Sequence, residues 1–195
     1  MEEKEINDLV ETLLSHTKTQ CKFELVDKLI PLIYKNKKVK NALLSRLYCH
    51  NWDLEEYIVE KLIPLFPFDK EIKEELILKL IETYNKKIFS VMGSLIPFDE
   101  DIKDEVIKLL DNKNSITKIN SVEILIPFIS SDKKIKKVVL KLLKSKRCNV
   151  YSFLFEKLLP LSFYDENIKI ALLESLNDNK LCQSHEFSFY KKVLK

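Results

Sequence analysis

The apolar residues of this chain recur in short blocks that fit one face of a helix. In residues 25–30 and again in residues 58–63, apolar side chains stand at the first, second, fifth and sixth positions. That spacing is the period of a helix with one buried face, because residues four apart lie on the same side. The pattern therefore predicts an amphipathic helix over each block, and similar blocks return further along the chain.

Each block runs into a proline that recurs at a nearly constant step. Steps of 33, 33, 30 and 33 residues separate the prolines of five Leu-Ile-Pro or Leu-Leu-Pro elements, which are Pro31, Pro64, Pro97, Pro127 and Pro160. A proline ends or bends a helix because it lacks an N–H donor, and a period of this size is typical of solenoid proteins. We expect the first helix of each repeat to end or bend there.

A second helix is predicted in each repeat shortly after the proline. An aspartate can cap the free N–H groups at the start of a helix, and the capping candidates are Asp69, Asp99 or Asp101, Asp132 and Asp165. Residues 1–20 fit a lone second helix, and residues 181–194 fit one final first helix. The matching apolar positions of the lone helix and of the second helix in repeat two are Ile6, Val10 and Leu14, and Ile72, Leu76 and Leu80.

These elements predict an all-α protein, namely an α-solenoid of about five antiparallel helix pairs with a terminal half-repeat at each end. No linker or low-complexity tract separates the repeats, and each repeat of a solenoid depends on its neighbours for its core. We therefore expect residues 1–195 to form a single domain. Leu62, Leu76 and Leu95 should be buried in it.

The segment Leu-Ile-Pro-Leu-Phe-Pro-Phe-Asp-Lys-Glu-Ile-Lys at 62–73, with its four copies, resembles HEAT-type repeats and, more loosely, armadillo-type repeats. The resemblance covers nearly the whole chain, although the repeat is shorter than usual and only four residues lead from Asp69 to Lys73. It implies stacked antiparallel helix pairs, second helices lining a concave face, and a role in holding partners. It implies no chemistry.

Composition narrows the classes of function. Gly93 is the only glycine, which argues against glycine-rich phosphate loops. Lysines interrupt every apolar stretch, so we expect no membrane-spanning segment. The charged opening residues do not suggest a secretory signal, and we expect a cytoplasmic protein, with a nuclear location left open. Four widely spaced cysteines are then expected to be free thiols: Cys21, Cys49, Cys148 and Cys182.

No group of residues predicts catalysis or a cofactor. The three histidines, His16, His50 and His185, stand apart, and Cys182 with His185 forms only half of a zinc site. We therefore expect no catalytic residue, no metal, no cofactor and no small-molecule substrate. The carboxylate pairs Glu55/Glu56 and Glu74/Glu75 are interpreted as solvated surface.

Aromatic residues recur near the prolines. They are Phe66, Phe68, Phe98, Phe128, Phe163 and Tyr164. Such residues could form a row that stacks on a ligand, but side chains of this kind more often pack the corner between repeats. We expect them to pack these corners.

The clustering of basic residues is the most distinctive feature of the sequence. Residues 133–147 hold eight basic residues and no acidic one, within a chain whose net charge is only +3. At the helical period, one line of lysines stands opposite the apolar positions, and we call it the lysine stripe: Lys133, Lys137, Lys141 and Lys144. The full set of candidate binding residues adds Lys134, Lys146 and Arg147 nearby and Lys35, Lys37 and Lys38 in repeat one.

Lysines without interleaved arginines suit contacts to phosphates better than base readout. The sequence thus favours a non-catalytic protein that docks on a large assembly through second helices, such as a ribonucleoprotein like the ribosome. An adaptor that binds a protein or peptide in its groove is the alternative, and a nucleic-acid-processing enzyme is the third. The plain alternative for the lysine stripe itself is a solvated face.

Overall fold

The computed structural model describes residues 2–15, 19–145, 148–178 and 194. All regular structure in these residues is helical, with eleven α-helices and no strand. The predicted all-α class is confirmed. The final helix predicted over 181–194 lies outside the described residues, apart from the buried side chain of Leu194.

The described helices alternate along the chain as the proline period indicates. They are α1 (Glu3–Leu14), α2 (Thr19–Leu29), α3 (Lys37–Ser45), α4 (Trp52–Leu62), α5 (Lys70–Glu82), α6 (Lys86–Gly93), α7 (Glu100–Leu109), α8 (Ser115–Leu125), α9 (Lys133–Lys144), α10 (Cys148–Leu158) and α11 (Glu166–Asp178). Contacts divide the chain into two units, Met1–Phe98 with α1 to α6 and Asp99–Lys195 with α7 to α11. The single domain 1–195 stays a prediction.

The prolines lie where the predicted first helices end. After α2, α4, α8 and α10 the chain tightens into a 3-10 turn that contains the proline, as in Ile30–Leu32 and Ile126–Phe128. After α6 the chain turns directly, and Pro97 lies in that turn. Proline cannot supply the N–H that a continuing helix needs, which explains why every one of these helices stops there.

The second helices begin at the predicted caps. The side chain of Asp69 accepts hydrogen bonds from the N–H groups of Glu71 and Ile72, both at 3.1 Å. Asp99 rather than Asp101 caps α7, and equivalent caps are Asn36, Asp132 and Asp165. These bonds satisfy donors that would otherwise lack a partner at the start of each helix.

The core of the first unit lies between neighbouring helices. α2 packs against α1 and α4, and α4 packs against α6. Leu62 and Leu76 are fully buried as predicted, whereas Leu95 is half-buried. In α1 the buried residues are Val10 and Leu13. The expectation for Leu14 is wrong, because Leu13 takes the inward position in the last turn and Leu14 points outward.

The second unit repeats this arrangement. α8 packs against α7 and α10, and α11 packs against α9 and α10. The inner face of α9 consists of Ile135, Val139 and Leu143, all fully buried. Burial of this face leaves the lysines of α9 on the outside.

A lysine–aspartate pair recurs within the units. The ammonium of Lys40 in α3 lies 2.8 Å from Asp69, the cap of α5. Lys103 in α7 lies 2.9 Å from Asp132, the cap of α9, and Lys136 in α9 pairs with Asp165. We call these three pairs the ladder. Each lysine is the fourth residue of its helix, so the ladder places the N-terminal ends of successive second helices side by side.

The ladder also shifts the acidity of its aspartates. Lys103 donates a hydrogen bond to Asp132, and together with the backbone N–H groups of Ile135 and Lys134 it holds the pKa of that carboxyl below the ordinary value. Lys136 lowers the pKa of Asp165 in the same way, against a smaller opposing effect of burial. The charged aspartate is therefore favoured by folding.

Shortening Leu76 should test the assignment of the buried face. Leu76→Ala removes a fully buried side chain, and we expect the free energy of unfolding to fall by about 2–5 kcal/mol. Leu78→Ala on the same helix is the matched control, because Leu78 is exposed and should cost less than about 0.5 kcal/mol. Urea unfolding measures both. Equal costs would mean that α5 buries a different face.

Asp132→Asn should separate the charge of the ladder from the helix cap. Asparagine keeps the oxygen that caps α9 but cannot pair with Lys103. A carboxylate whose pKa is lowered by folding contributes stability that is present above its unfolded pKa of about 3.9 and is lost as the pH falls through the lower folded value. We therefore expect the variant to be less stable than wild type near pH 7 and to approach it in acid.

The measurement is urea unfolding at a series of pH values. Asp111→Asn is the control, because Asp111 is exposed and forms no ion pair among the described residues. Its difference from wild type should change little with pH. A gap between Asp132→Asn and wild type that persists unchanged into acid would contradict the assigned role of the charge.

Candidate binding surface on helix α9

The lysine stripe lies on the outer face of α9. The apolar residues at the helical period are buried, and the lysines of the stripe are all exposed. α9 holds six lysines and no acidic residue. The cap at Asp132 and the ladder pair of Lys136 fix where the helix starts, so the structure places the stripe as the sequence predicted.

Ion pairs divide the candidate lysines. Lys134 pairs with Asp104 in α7, and Lys144 lies 2.7 Å from Glu174 in α11. These pairs are exposed and contribute little to stability, but each places a negative charge beside its lysine. Among the described residues, no ion pair involves the other three members of the stripe, Lys133, Lys137 and Lys141. Those three are exposed lysines of α9 that have no acidic partner in the described part of the chain.

Two grooves flank the stripe. The larger, of about 440 Å³, lies between α9 and α11, and Lys137, Lys141 and Lys144 line it together with Leu140, Ile170 and Glu174. The smaller, of about 270 Å³, lies between α7 and α9, and its lining includes Lys141 and Asp111. Lys141 thus stands between both grooves. A phosphate or a carboxylate of a partner could reach its ammonium from either side.

Acidic residues border the stripe on both sides. α7 contributes Asp104 and Glu105, Asp111 follows it, and α11 contributes Glu174. The surface is therefore a basic line between two acidic margins. Such an arrangement favours close contact with a negatively charged group over long-range attraction of a polyanion. Neighbouring opposite charges offset each other at a distance, and salt screens exposed charges beyond about 10 Å at 0.1 M.

The remaining predicted binding residues lie elsewhere. Lys146 and Arg147 are outside the described residues. Lys35, Lys37 and Lys38 are exposed in the first unit, where they surround the start of α3. Lys38 donates a hydrogen bond to Asn7 at 3.3 Å. They belong to a different unit from α9.

The expectation that the proline-adjacent aromatics pack the corners is wrong for most of them. Phe66 is buried and Phe128 is half-buried, but Phe68, Phe98, Phe163 and Tyr164 are exposed. The reason is the turn before each second helix. The capping aspartate has an extended backbone, and the aromatic residue just before it is exposed, whereas Phe66, three residues before Asp69, is buried.

The prediction that both carboxylate pairs lie on the solvated surface is only partly correct. Glu74 is exposed as expected, but Glu55 is 3% exposed and lies 2.7 Å from the ammonium of the buried Lys79. Glu55 also accepts a hydrogen bond at 2.8 Å from the N–H of His50, a residue held at a φ of 58°. Helical spacing places Glu55 between Leu54 and Ile58 on the inner side of α4, and that spacing is the signal that predicts its burial.

Tyr48 joins the same buried cluster. Its hydroxyl donates a hydrogen bond at 3.1 Å to Glu75, and its ring lies 5.3 Å from the ammonium of Lys79. Burial, followed by the charge of Glu75, raises the pKa of Tyr48 well above its ordinary value. The cluster therefore holds its charges in internal pairs, which indicates a structural role.

The half of a zinc site considered in the sequence, Cys182 with His185, lies outside the described residues. In the part of the chain that the structure describes, no group of three or more His, Cys, Asp or Glu residues could hold a metal ion. Cys49 is a half-buried free thiol, and the other cysteine side chains lie outside the described part. Among the described helices, none has the length and apolar character needed to cross a bilayer.

Comparison with known proteins adds little to this geometry. No protein-family model matches this chain, and no curated protein matches it either. Among solved structures, the crystal structure of an engineered protein aligns with 98% of this chain and 94% of its own, at 17% sequence identity and a TM-score of 0.39. A likeness at that score carries no argument about fold or function.

Glu55→Gln should be among the most damaging single changes in the first unit. It leaves the ammonium of Lys79 buried without a countercharge, and breaking a buried pair on one side costs about 3–5 kcal/mol. Glu74→Gln is the control, because Glu74 is exposed and its pair with Lys70 spans 3.5 Å; we expect a change under about 0.5 kcal/mol. Urea unfolding compares them. A small cost for Glu55→Gln would mean that Lys79 finds another partner.

Proposed function

We propose that this chain is a non-catalytic α-solenoid of HEAT-like helix pairs that docks on a large assembly in the cytoplasm, with a ribonucleoprotein such as the ribosome as the leading candidate. The observation that carries the proposal is the pair Lys137 and Lys141. Both are exposed on α9, line a groove, and have no ion pair among the described residues.

Contacts inside each unit support the solenoid part of the proposal. α2 packs on α4, α4 on α6, α8 on α10 and α9 on α11, so helices two apart in sequence are neighbours. The ladder recurs with a separation of 29 residues between lysine and aspartate. In a repeat protein, each helix pair contacts the next copy of itself in this way.

Lysines in a line suit contact with a phosphate backbone. An ammonium group is a compact charge that binds phosphate without selecting a base. The acidic margins on α7 and α11 limit attraction at a distance, so binding would depend on close contact at Lys137 and Lys141. A large folded RNA on a ribonucleoprotein surface presents phosphates in that way.

The larger groove favours a second candidate, a protein adaptor. Leu140 and the exposed Ile170 give its wall apolar area, while Lys137 and Glu174 supply opposite charges at its rim. Protein interfaces combine an apolar centre with a polar rim in this manner. An adaptor would depend on a few central apolar contacts, and charge changes would alter chiefly its association rate. A nucleic-acid-processing enzyme stays the third alternative, without a proposed catalytic residue.

A salt series on the double variant Lys137→Gln, Lys141→Gln tests the leading proposal. Each phosphate contact contributes a slope of about −0.7 to −0.9 to log affinity against log salt, because counterions are released. Purified ribosomes are the probe. We expect the variant to flatten the slope by roughly 1.5 relative to wild type, with the melting temperature nearly unchanged because these charges are exposed.

The matched control is Lys134→Gln, Lys144→Gln, which removes the same charge from lysines already paired with Asp104 and Glu174. Its slope should stay close to that of wild type. If the test variant leaves the slope unchanged, phosphate binding by this pair is wrong. A lost affinity after Ile170→Ser at an unchanged slope would instead support the adaptor.

A further inference from the structure

Some of the most exposed large side chains of the chain are aromatic and share one position. Phe68 is 81% exposed, Phe98 85% and Tyr164 92%. Each stands directly before the aspartate that caps the next helix. A single exposed aromatic residue is ordinary, but the same choice at three equivalent positions is not explained by folding, since none of these rings is buried.

The ladder fixes what lies next to these rings. Asp69, the residue after Phe68, is bonded to Lys40, which lies about one helical turn after the exposed Lys37 at the start of α3. In the second unit, Asp165, the residue after Tyr164, is bonded to Lys136, the fourth residue of α9. The exposed Lys133 begins that helix. Phe68 and Tyr164 are thus each linked, through the neighbouring cap and its ladder lysine, to the start of a helix whose first residue is an exposed lysine.

The lysine and the ring also occur together in the sequence. We compared the first residue of each second helix with the residue that stands just before the cap of the next second helix. The successive combinations are Lys37 with Phe68, Lys70 with Phe98, Glu100 with Ser131, and Lys133 with Tyr164. The aromatic residue is present where the helix begins with lysine and absent where it begins with glutamate. A lysine at the start of a second helix and an aromatic residue before the next cap therefore occur together.

The chemistry that needs both groups is that of a single strand of nucleic acid. Unpaired bases stack on exposed rings, and phosphates contact the neighbouring lysines. A lipid surface fits less well, because insertion of Phe68 or Tyr164 would carry the charged ladder pairs beside them toward the bilayer. We propose that each unit binds single-stranded nucleic acid by stacking and phosphate contact at these positions, here called its turn edge. The turn edge consists of Lys37, Phe68, Lys70 and Phe98 in the first unit and of Lys133 and Tyr164 in the second.

This proposal does not rest on the docking function of α9. The rings of the turn edge lie outside the lysine stripe, and only Lys133 belongs to both. The double variant Lys137→Gln, Lys141→Gln should therefore bind a short single strand nearly as wild type does. Failure of one proposal leaves the other open to its own test.

The experiment measures fluorescence anisotropy of a labelled oligouridine of about 12 nucleotides with the full chain. Phe68→Leu and Tyr164→Leu keep an apolar side chain but remove the stacking face. Each should weaken binding about tenfold, the fold-change expected for one lost base stack. Phe68→Tyr should retain the affinity. Trp52→Leu is the matched control, because Trp52 is exposed at the start of α4, away from the turn edge, and should change nothing.

Three results would overturn the proposal. They are no binding of the oligonucleotide by wild type, equal binding by the leucine variants, or equal affinity for a duplex of the same length. Vesicles with anionic lipid form a separate arm, and binding to them that the leucine variants abolish, without oligonucleotide binding, would assign the edge to a lipid surface. Circular dichroism checks that the variants fold, which their exposed positions lead us to expect.

Discussion

The ion pair between a lysine in one second helix and the aspartate that caps the next is the interaction on which both units depend. Asp69, Asp132 and Asp165 each act twice, because the same carboxylate accepts backbone hydrogen bonds and pairs with a lysine. A cap alone contributes about 1 kcal/mol. An ion pair that is mostly shielded from water also has a preferred geometry. It therefore fixes how far one helix is shifted along the other, which apolar packing alone does not do. Register between helices is thus set at their N-terminal ends.

The same constraint determines what the surface can display. Since the cap and the fourth residue of each helix serve the ladder, the residues around them are fixed in place but face solvent. Phe68 and Tyr164 each stand just before the cap of a second helix. Lys37 and Lys133 are the first residues of the preceding second helices, just after the caps of those helices. Chemical groups at these positions need no further support to be presented at a defined edge.

The helices were predictable because their signals are local. Apolar spacing, the proline and the capping aspartate all act within a few residues, and the structure reproduces each of them. The errors arise where a side chain's surroundings come from elsewhere. Glu55 is buried because Lys79, 24 residues away, supplies its countercharge. The exposed rings stand at the end of a turn, just before an extended cap that directs the chain into the next helix. Hydrophobicity alone predicts burial for Phe68, but the backbone geometry of its turn decides the outcome.

Charge illustrates the same difference between sequence and surface. Residues 133–147 hold eight basic residues and no acidic one. In the structure, however, Lys134, Lys136 and Lys144 pair with Asp104, Asp165 and Glu174, which lie in or next to other helices. Pairing across helices removes these cations from the set that can meet a partner, and it does so at separations of about thirty residues, which no local pattern reveals. What remains on α9 is one line along the helix, Lys133, Lys137 and Lys141, because residues four apart share a face. Its first member stands at the turn edge and its last between two grooves, so one short run of lysines supplies cations to two separate surfaces.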